Sequence, residues 1–360
     1  MDQLQKARQE MDRASIIEAT QQTVSAGVEN GPYVVERGAL SRVGAYLQLD
    51  RRVLILTDDG VPPVYAETVA EACSYPVILT YPQGEDTKSF EVLADVAAVM
   101  LEHGFTRTDC VVAVGGGVIG DLAGFAAAIF MRGIDFYNIP TTLLAQVDSS
   151  IGGKTAINHE GIKNCVGAFY QPKKVVIDPN VLSTLPPRQI SNGMAEAIKM
   201  ALTCDRELFE KIEAGNPMDM LDEIILSSLR IKKSVVDRDA TEKSLRRVLN
   251  FGHTLGHGIE SQASLRDGDR ALYHGECVSL GMLCMCAPEV RDRLIPVLRK
   301  AGLPTETDVD IDASLSAVSH DKKMDGSRIN YVYCPEVGSF EFRSASLEEF
   351  AEVVKESGAY

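Results

Sequence analysis

Apolar and polar positions along this chain change rhythm near residue 185. Before it, short β-branched and aliphatic runs recur at 51–56 (RRVLIL), 76–79 (PVIL), 110–114 (CVVAV), 136–140 (FYNIP) and 174–177 (KVVI). Helical periodicity fills the intervals, notably 62–73 and 88–103. Strand–helix alternation of this kind predicts a parallel sheet with helices on its faces. After LSTLPPR (182–188) long helical patterns follow at about 188–214, 219–237, 245–263, 274–287 and 289–301. One late hairpin is expected, RINYVYC (328–334) and SFEFR (339–343) around Glu336-Val337-Gly338. The doublet Pro186-Pro187 is a natural break, because proline stops regular structure and stiffens a linker. The expected organisation is a polar N-terminal extension (1–30), an α/β domain (31–183) and a mostly helical domain (184–360).

Length agrees with two domains, since 360 residues at about 150 per domain exceed one. With 45% hydrophobic and 24% charged residues, the composition is that of an ordinary soluble globular protein. Its 36 basic residues stand against 51 acidic ones, a net charge of −15. That sets aside non-specific nucleic-acid binding, which needs a basic footprint, and leaves room for a locally basic pocket. The longest apolar stretch, Leu122 to Met131, is about half of the roughly 20 residues a spanning helix needs. The N-terminus mixes both charge signs without an apolar core, so neither a membrane span nor a signal peptide is expected. Eight cysteines with apolar neighbours and no C-x-x-C pair read as reduced, buried thiols of a cytosolic protein. Cys284 and Cys286 stand two apart on a helical pattern, which points them in different directions.

Three constellations carry chemistry. In VVAVGGGVIGDLAGFAAA, Gly115, Gly117 and Gly120 fit G-x-G-x-x-G between a strand and a helix. Such a turn lets backbone approach a pyrophosphate at a helix N-terminus, although plain helix–sheet packing asks for the same glycines. The acidic residue usual about 20 positions on is not cleanly present. Next comes a run with Arg132, Thr141, Thr142, Asp148 and Ser149, then IGGKTAINHEGIKNCVGAF, where Lys154, Lys163 and Asn164 sit among four glycines. Lysines on glycine-rich loops in so acidic a chain suggest anion capture, against the plainer reading of solvated turns. The histidines are the most informative. Of six in the chain, His253 and His257 are spaced (i, i+4) on one helix face and His274 opens the next helix. Upstream, NGMAEAIK offers Glu196 and Lys199. Two or three imidazoles with a carboxylate make a plausible Zn²⁺ site with an open position. Spacing leaves open which histidine is ligand and which acid/base. Lys232, Lys233, Arg246 and the pair Lys322-Lys323 would either close an anion site or line solvated faces.

Taken together, these segments closely resemble the 3-dehydroquinate synthase family of sugar phosphate cyclases. The resemblance runs from about residue 50 to 345 through GEDTKS (84–89), GGGVIGDLAGFAAA (115–128), PTTLLAQVDSSIGGKTAIN (140–158), KNCVGAFYQP (163–172), GMAEAIK (193–199), LRRVLNFGHTLGHGIE (245–260), HGECVSLGM (274–282) and HDKK (320–323). It implies a Rossmann-like dinucleotide-binding N-terminal domain and a mostly α-helical C-terminal metal-binding domain. By motif position, the implied metal ligands are Glu196, His253 and His274. Arg132, Asp148, Lys154, Asn164, Lys199, Lys232, Arg246 and Asn250 would hold substrate, with Lys322 or Lys323. His257 and Glu242 would move protons. The implied NAD contacts are Asp58, Glu85, Lys88, Gly116, Gly117, Val118, Asp121, Thr141, Thr142, Lys163 and Thr184.

The family's reaction turns 3-deoxy-D-arabino-heptulosonate 7-phosphate into 3-dehydroquinate and phosphate within the shikimate pathway. The implied course is oxidation of a ring hydroxyl by bound NAD beside a divalent metal, Zn²⁺ or Co²⁺. Elimination of phosphate, return of the hydride, ring opening and an intramolecular aldol closure come next. A cytoplasmic homodimer is the family's implied state. Departures are small: AEAIKMA where relatives often carry AEVIKYG, and Ser244 where glycine is more usual. LNFGHTLGH favours this family over the valiolone-type cyclases, while aminodehydroquinate synthases lie closer. Metal-dependent glycerol dehydrogenases share the two-domain plan, but their neutral polyols would leave Lys154, Lys163 and Arg246 without an anion to bind. A catalytically silent scaffold is disfavoured, since no polar element of the site is missing.

Overall fold

A computed structural model of the chain describes residues 29–30, 32–239, 242–268, 271–318, 324–325 and 328–357. Residues 1–28 and the HDKK block with Lys322 and Lys323 lie outside the described residues. The described chain divides into two compact units, one ending at Pro186 and one starting at Pro187.

In the first unit the apolar runs become strands: β1 (Glu29–Asn30), β2 (Tyr33–Val35), β3 (Arg52–Asp58), β4 (Tyr75–Tyr81), β5 (Cys110–Gly115), β6 (Asp135–Pro140), β7 (Lys154–His159), β8 (Ile162–Phe169) and β9 (Lys174–Ile177). Between them lie the helices α1 (Val43–Tyr46), α2 (Pro63–Glu71), α3 (Phe90–Glu102) and α4 (Gly117–Ile129). The main sheet runs β1-β2-β9-β6-β5-β3-β4, parallel throughout except for the short β1–β2 edge. Strand β3 explains why an unbroken apolar run is needed. Val53 and Ile55 join one core with Val112, Val114 and Ile139, while Leu54 and Leu56 join another with Val111, Leu122 and Phe136. Each such side chain contributes about 1.5–3 kcal/mol by leaving water.

Strand order reverses between β3 and β5, because β4 lies to one side of that pair while β6 and β9 continue on the other. Open α/β sheets take their ligands at such a switch point, beyond the carboxyl ends of the strands. Here that place is occupied by Asp58, at the end of β3, and by the turn from Gly115 into α4.

The run around Lys154 and Lys163, expected as glycine-rich loops, is instead an antiparallel hairpin of β7 and β8. Its two-residue loop, Glu160-Gly161, has positive φ at both residues (49° and 73°), as a type I′ turn requires. The strands escape apolar patterning because much of their surface is exposed, with Lys154, Lys163 and Asn164 all reaching solvent.

The second unit comprises α5 (Pro187–Cys204), α6 (Arg206–Ala214), α7 (Leu221–Arg238), α8 (His253–Asp267), α9 (His274–Cys284), α10 (Pro288–Lys300) and α11 (Ile311–Val318). A small sheet of β10 (Met324–Asp325), β11 (Arg328–Tyr333) and β12 (Glu341–Ala345) precedes α12 (Leu347–Glu356). The pattern expected as one helix over 188–214 is two, because Asp205 leaves the helical region and caps α6 by accepting from Leu208 N at 3.0 Å. The pattern over 245–263 also breaks. Residues 245–250 form a 3₁₀ turn, and Gly252 at φ 76° turns the chain so that His253 opens α8. A closing helix that the periodicity did not announce, α12, is fixed by a reciprocal Ser346–Glu349 capping box.

Helix α5 is buried from Asn192 to Cys204, so neighbours must cover it on every side. Helix α9 reaches both α5 and the entry to α8 through glycine. A Cβ on Gly275 would lie 2.1 Å from the carbonyl oxygen of Asn192, and one on Gly281 would lie 2.0 Å from that of Gly252. The variant Gly281→Ala is expected to lose at least about 1–3 kcal/mol to overpacking, read as a lower urea midpoint; an unchanged midpoint would show that the two backbones separate freely.

Candidate functional site

In the helical unit three donors converge from three elements: Glu196 from the middle of α5, His253 from the start of α8 and His274 from the start of α9. The Glu196 Oε1 atom lies 3.5 Å from His253 Nε2 and 3.6 Å from His274 Nε2. A tetrahedral ion with bonds of about 2.1 Å separates its ligands by about 3.4 Å. All three donor atoms lie within 4.8 Å of one another, and imidazole with carboxylate suits Zn²⁺ or Co²⁺. The residues present therefore fit a divalent cation. The other oxygen of Glu196 accepts from the ammonium of Lys199, one turn on along α5.

Ring orientation supports the same arrangement. The Nδ1 atom of His253 lies 3.1 Å from the carbonyl oxygen of Phe251. A carbonyl only accepts, so Nδ1 carries the proton and Nε2 presents its lone pair toward Glu196. His274 Nδ1 lies 3.1 Å from Glu260 Oε2. Burial favours the neutral form of His274, but hydrogen bonds to Glu196 and Glu260, together with their charges, override it and push its pKa up to about 10. A divalent cation would take over that positive charge and displace the proton.

The other candidate residues of this unit lie on α5, α7 and α8 and on the 3₁₀ turn 245–250 with the segment before it, and both α7 and that turn pack against α5. The His257 ring lies 5.3 Å from that of His253 and 5.8 Å from that of His274, centroid to centroid. Lys199, Lys232 and Arg246 are 1%, 6% and 2% exposed, which is rare for cations and costly without anionic company. Asn250 Nδ2 donates to Glu242 Oε1 at 2.6 Å. The segment carrying Glu242 and Arg246 is anchored by Asp239, whose carboxylate accepts from the backbone N–H of Lys243 (2.9 Å), Ser244 (2.7 Å) and Arg246 (3.0 Å). Asn192 plays a similar part for α9, accepting from Gly275 N at 2.6 Å beside His274.

In the α/β unit the residues gather at the switch point. Gly116, Gly117, Val118 and Asp121 lie at the start of α4, and Thr141, beyond β6, donates its N–H to the Gly115 carbonyl at 2.9 Å. Thr142 packs beside them, its Cγ2 3.1 Å from where a Cβ on Gly116 would be. Asp58 is buried; loss of solvent raises its carboxyl above the usual range, against the N–H of Gly60. Lys88 is buried and already engaged, donating to Asp121 Oδ2 at 2.7 Å and to Asn164 Oδ1. Asn158 joins the set by donating to Glu85 Oε2 at 2.9 Å and accepting from Asn164 N at 2.8 Å. The Thr184 hydroxyl lies 3.0 Å from that of Tyr65. Lys163, Lys154 and Arg132 are exposed, and Asp148 lies in a short π-helical turn, Ala145–Ser149.

Sequence reasoning passed over Asp239, Asn192, Asn158 and Glu260, because each acts through a contact distant or irregular along the chain. It also gave no hint of backbone strain. Among the described residues, five other than glycine have positive φ, and Arg132, Asn164 and Glu242 are three of them. Left-handed backbone at such residues persists where surrounding structure imposes it, as at functional sites.

Burial works against the charge of Asp239, yet the N–H groups it receives hold its carboxyl below the ordinary 3.8. A lowered value contributes stability above about 3.8, the unfolded-state value, that is lost as pH falls through the folded one. The variant Asp239→Asn is thus expected to lower stability by about 2 kcal/mol at neutral pH, with a deficit that shrinks toward pH 3 in denaturant titrations. A deficit independent of pH would refute the role of the charge.

Residues 78–192 match the family model of the 3-dehydroquinate synthase N-terminal domain, and residues 193–324 that of the C-terminal domain. The 3-dehydroquinate synthase of Streptococcus sanguinis is 39% identical over 92% of this chain and 99% of its own. That of Enterococcus faecalis is 38% identical over 93% and 99%. Among solved structures, 2-deoxy-scyllo-inosose synthase complexed with carbaglucose-6-phosphate, NAD+ and Co2+ superposes with TM-score 0.80 at 27% identity, covering 90% of this chain and 96% of that one. The 2-epi-5-epi-valiolone synthase of Streptomyces hygroscopicus, with NAD+ and Zn2+ bound, gives 0.79 at 26% identity over 93% and 99%. Glycerol dehydrogenase of Schizosaccharomyces pombe shares the fold alone, with TM-score 0.61 and 16% identity over 93% and 91%. With both of its domain models matched and near full-length relatives at this identity, the chain belongs to the 3-dehydroquinate synthase family.

Proposed function

We propose that this chain converts 3-deoxy-D-arabino-heptulosonate 7-phosphate into 3-dehydroquinate and phosphate, using NAD catalytically and a divalent cation. The observation that carries the reading is the donor triad of Glu196, His253 and His274, with Lys199 paired to Glu196 and two further buried cations, Lys232 and Arg246, on elements that pack against α5. A polyol dehydrogenase has no use for so many buried positive charges. A substrate bearing phosphate and carboxylate does, because anions held by pre-placed cations in a dry site are bound and oriented at once.

Glu196, His253 and His274 would hold the cation. When bound, NAD supplies the hydride acceptor and donor, and the metal supplies a Lewis acid that polarises a substrate oxygen. The side chains bind, orient and move protons. The residues assigned to the anionic substrate are Lys199, Lys232, Arg246 and Asn250 in the helical unit, Arg132, Asp148, Lys154 and Asn164 in the α/β unit, and Lys322 or Lys323. His257, one turn along α8 from His253, carries a ring nitrogen of the kind that can accept and return a proton. Glu242, hydrogen-bonded to Asn250, is the second proton carrier. Asp58, Glu85, Lys88, Gly116, Gly117, Val118, Asp121, Thr141, Thr142, Lys163 and Thr184 form the dinucleotide set; the switch-point position of Asp58 and of the glycine turn supports this.

The same reading makes the protein a cytoplasmic homodimer that handles a small molecule and not nucleic acid or membrane. Its net charge of −15 and its eight cysteines, none of them in a disulfide, are in keeping with that. No described helix is long and apolar enough to cross a membrane.

The test is phosphate release from the heptulosonate phosphate, with and without a chelator. Release that needs the metal and leaves no accumulated NADH is expected. NADH appearing in step with turnover would instead assign a dehydrogenase, and absence of release from this substrate would point to another cyclase. The variant His274→Ala should lose both turnover and bound metal, measured by elemental analysis; full metal content would discard His274 as a ligand.

A further inference from the structure

We infer that Glu260 is the positioning residue that keeps Nε2 of His274 turned to the cation. The inference rests on the proposed ligand set of Glu196, His253 and His274. The described residues contain two donor triads, Glu196–His253–His274 and His257–Glu260–His274, which share one imidazole. The two nitrogens of that imidazole have different neighbours. Nε2 lies 3.6 Å from Glu196 Oε1, and Nδ1 lies 3.1 Å from Glu260 Oε2. A carboxylate oxygen can only accept, so the second contact is a hydrogen bond donated by the ring. A half-turn of the ring about its Cβ–Cγ bond would exchange Nε2 for a carbon and break that hydrogen bond. The contact with Glu260 thus holds the ring in place and keeps the proton on Nδ1, so that only Nε2, the nitrogen of the first triad, offers a lone pair.

His253 has its own orienting partner, the Phe251 carbonyl, and only 11% of its side chain is exposed. The His274 side chain, the first residue of α9, is partly buried but at 30% more exposed than His253, so packing constrains it less and a directed bond matters more. Glu260, 17% exposed, is well placed to supply it. On α8 the spacing of His253, His257 and Glu260 is i, i+4, i+7, which puts all three on one face. One helix face thus carries a ligand, a proton carrier and the group that orients the neighbouring ligand. Carboxylates hydrogen-bonded to metal-bound imidazoles fix the tautomer and strengthen the ligand, and their loss typically costs 10- to 100-fold in metal affinity.

The experiment titrates metal-free wild type, Glu260→Ala and Glu260→Gln with Co²⁺ against a competing chelator and follows the visible spectrum of the bound ion. Thermal melting of the metal-free proteins checks folding. The alanine variant is expected to melt like wild type, to bind one Co²⁺ about 10- to 100-fold more weakly and to show an altered spectrum. The glutamine variant, whose amide oxygen still accepts from Nδ1–H, should recover most of the affinity and the wild-type spectrum. Unchanged affinity in Glu260→Ala, or an equal loss in both variants, would overturn the orienting role. So would a second equivalent of Co²⁺ in wild type that the alanine variant lacks, since Glu260 would then be a ligand itself. Wild type that takes up no Co²⁺ would overturn the ligand set, and the role of Glu260 with it.

Discussion

The carboxylate of Glu196 is the constraint around which the helical unit is built. A charge withdrawn from water costs several kcal/mol unless it is paired and hydrogen-bonded, and Glu196 sits fully buried in the middle of α5. Its two oxygens divide the burden, one turned to the Lys199 ammonium and the other to two imidazoles. Those imidazoles are each the first residue of a helix, so the starts of α8 and α9 must both be brought against α5. Glycine makes that approach possible: at Gly275 and Gly281 the neighbouring carbonyls stand where any side chain would be. Packing and site chemistry are therefore one requirement in this unit. The backbones come close because the donors must converge.

The α/β unit solves a different problem. Its main sheet is apolar on both faces, while the chemistry-bearing residues lie at strand ends such as Asp58, on the turns beyond them and on the hairpin of β7 and β8. There the polar groups are tied to one another: Lys88 to Asp121 and Asn164, and Asn158 to Glu85 and Asn164. The hairpin of β7 and β8 is thereby fastened to the segment before α3, and Asn158 N also donates to the Lys88 carbonyl. Asn164 holds this network from a left-handed backbone conformation, which asparagine tolerates better than most residues. These hydrogen bonds tie the hairpin to the segment between β4 and α3.

Much of this was legible in the residues. Unbroken apolar runs such as 110–114 and 175–177 mark strands buried on both sides, since no polar position interrupts them. The (i, i+4) spacing of His253 and His257 implies one helix face, because 3.6 residues per turn leave no alternative. The hairpin of β7 and β8 was missed for the converse reason. Its strands are half exposed and polar, so they carry neither an apolar run nor an alternation. The break before His253 was missed too, because the apolar spacing of 245–263 continues across it while Gly252 turns the backbone.

What the amino-acid order determined by itself was everything that local stereochemistry and periodicity dictate: a parallel sheet, a helical second half, a glycine turn at a helix start, and a supply of imidazoles, carboxylates and cations. Which of those groups touch was left to tertiary structure. Glu196 and His274 are far apart along the chain and meet only because α5 and α9 pack through glycine. Asp239, Asn192 and Glu260 gain their roles from contacts that no spacing rule encodes. Periodicity reports which face of an element is buried; it carries no information about which other element arrives there, and that is settled by the packing of the whole unit.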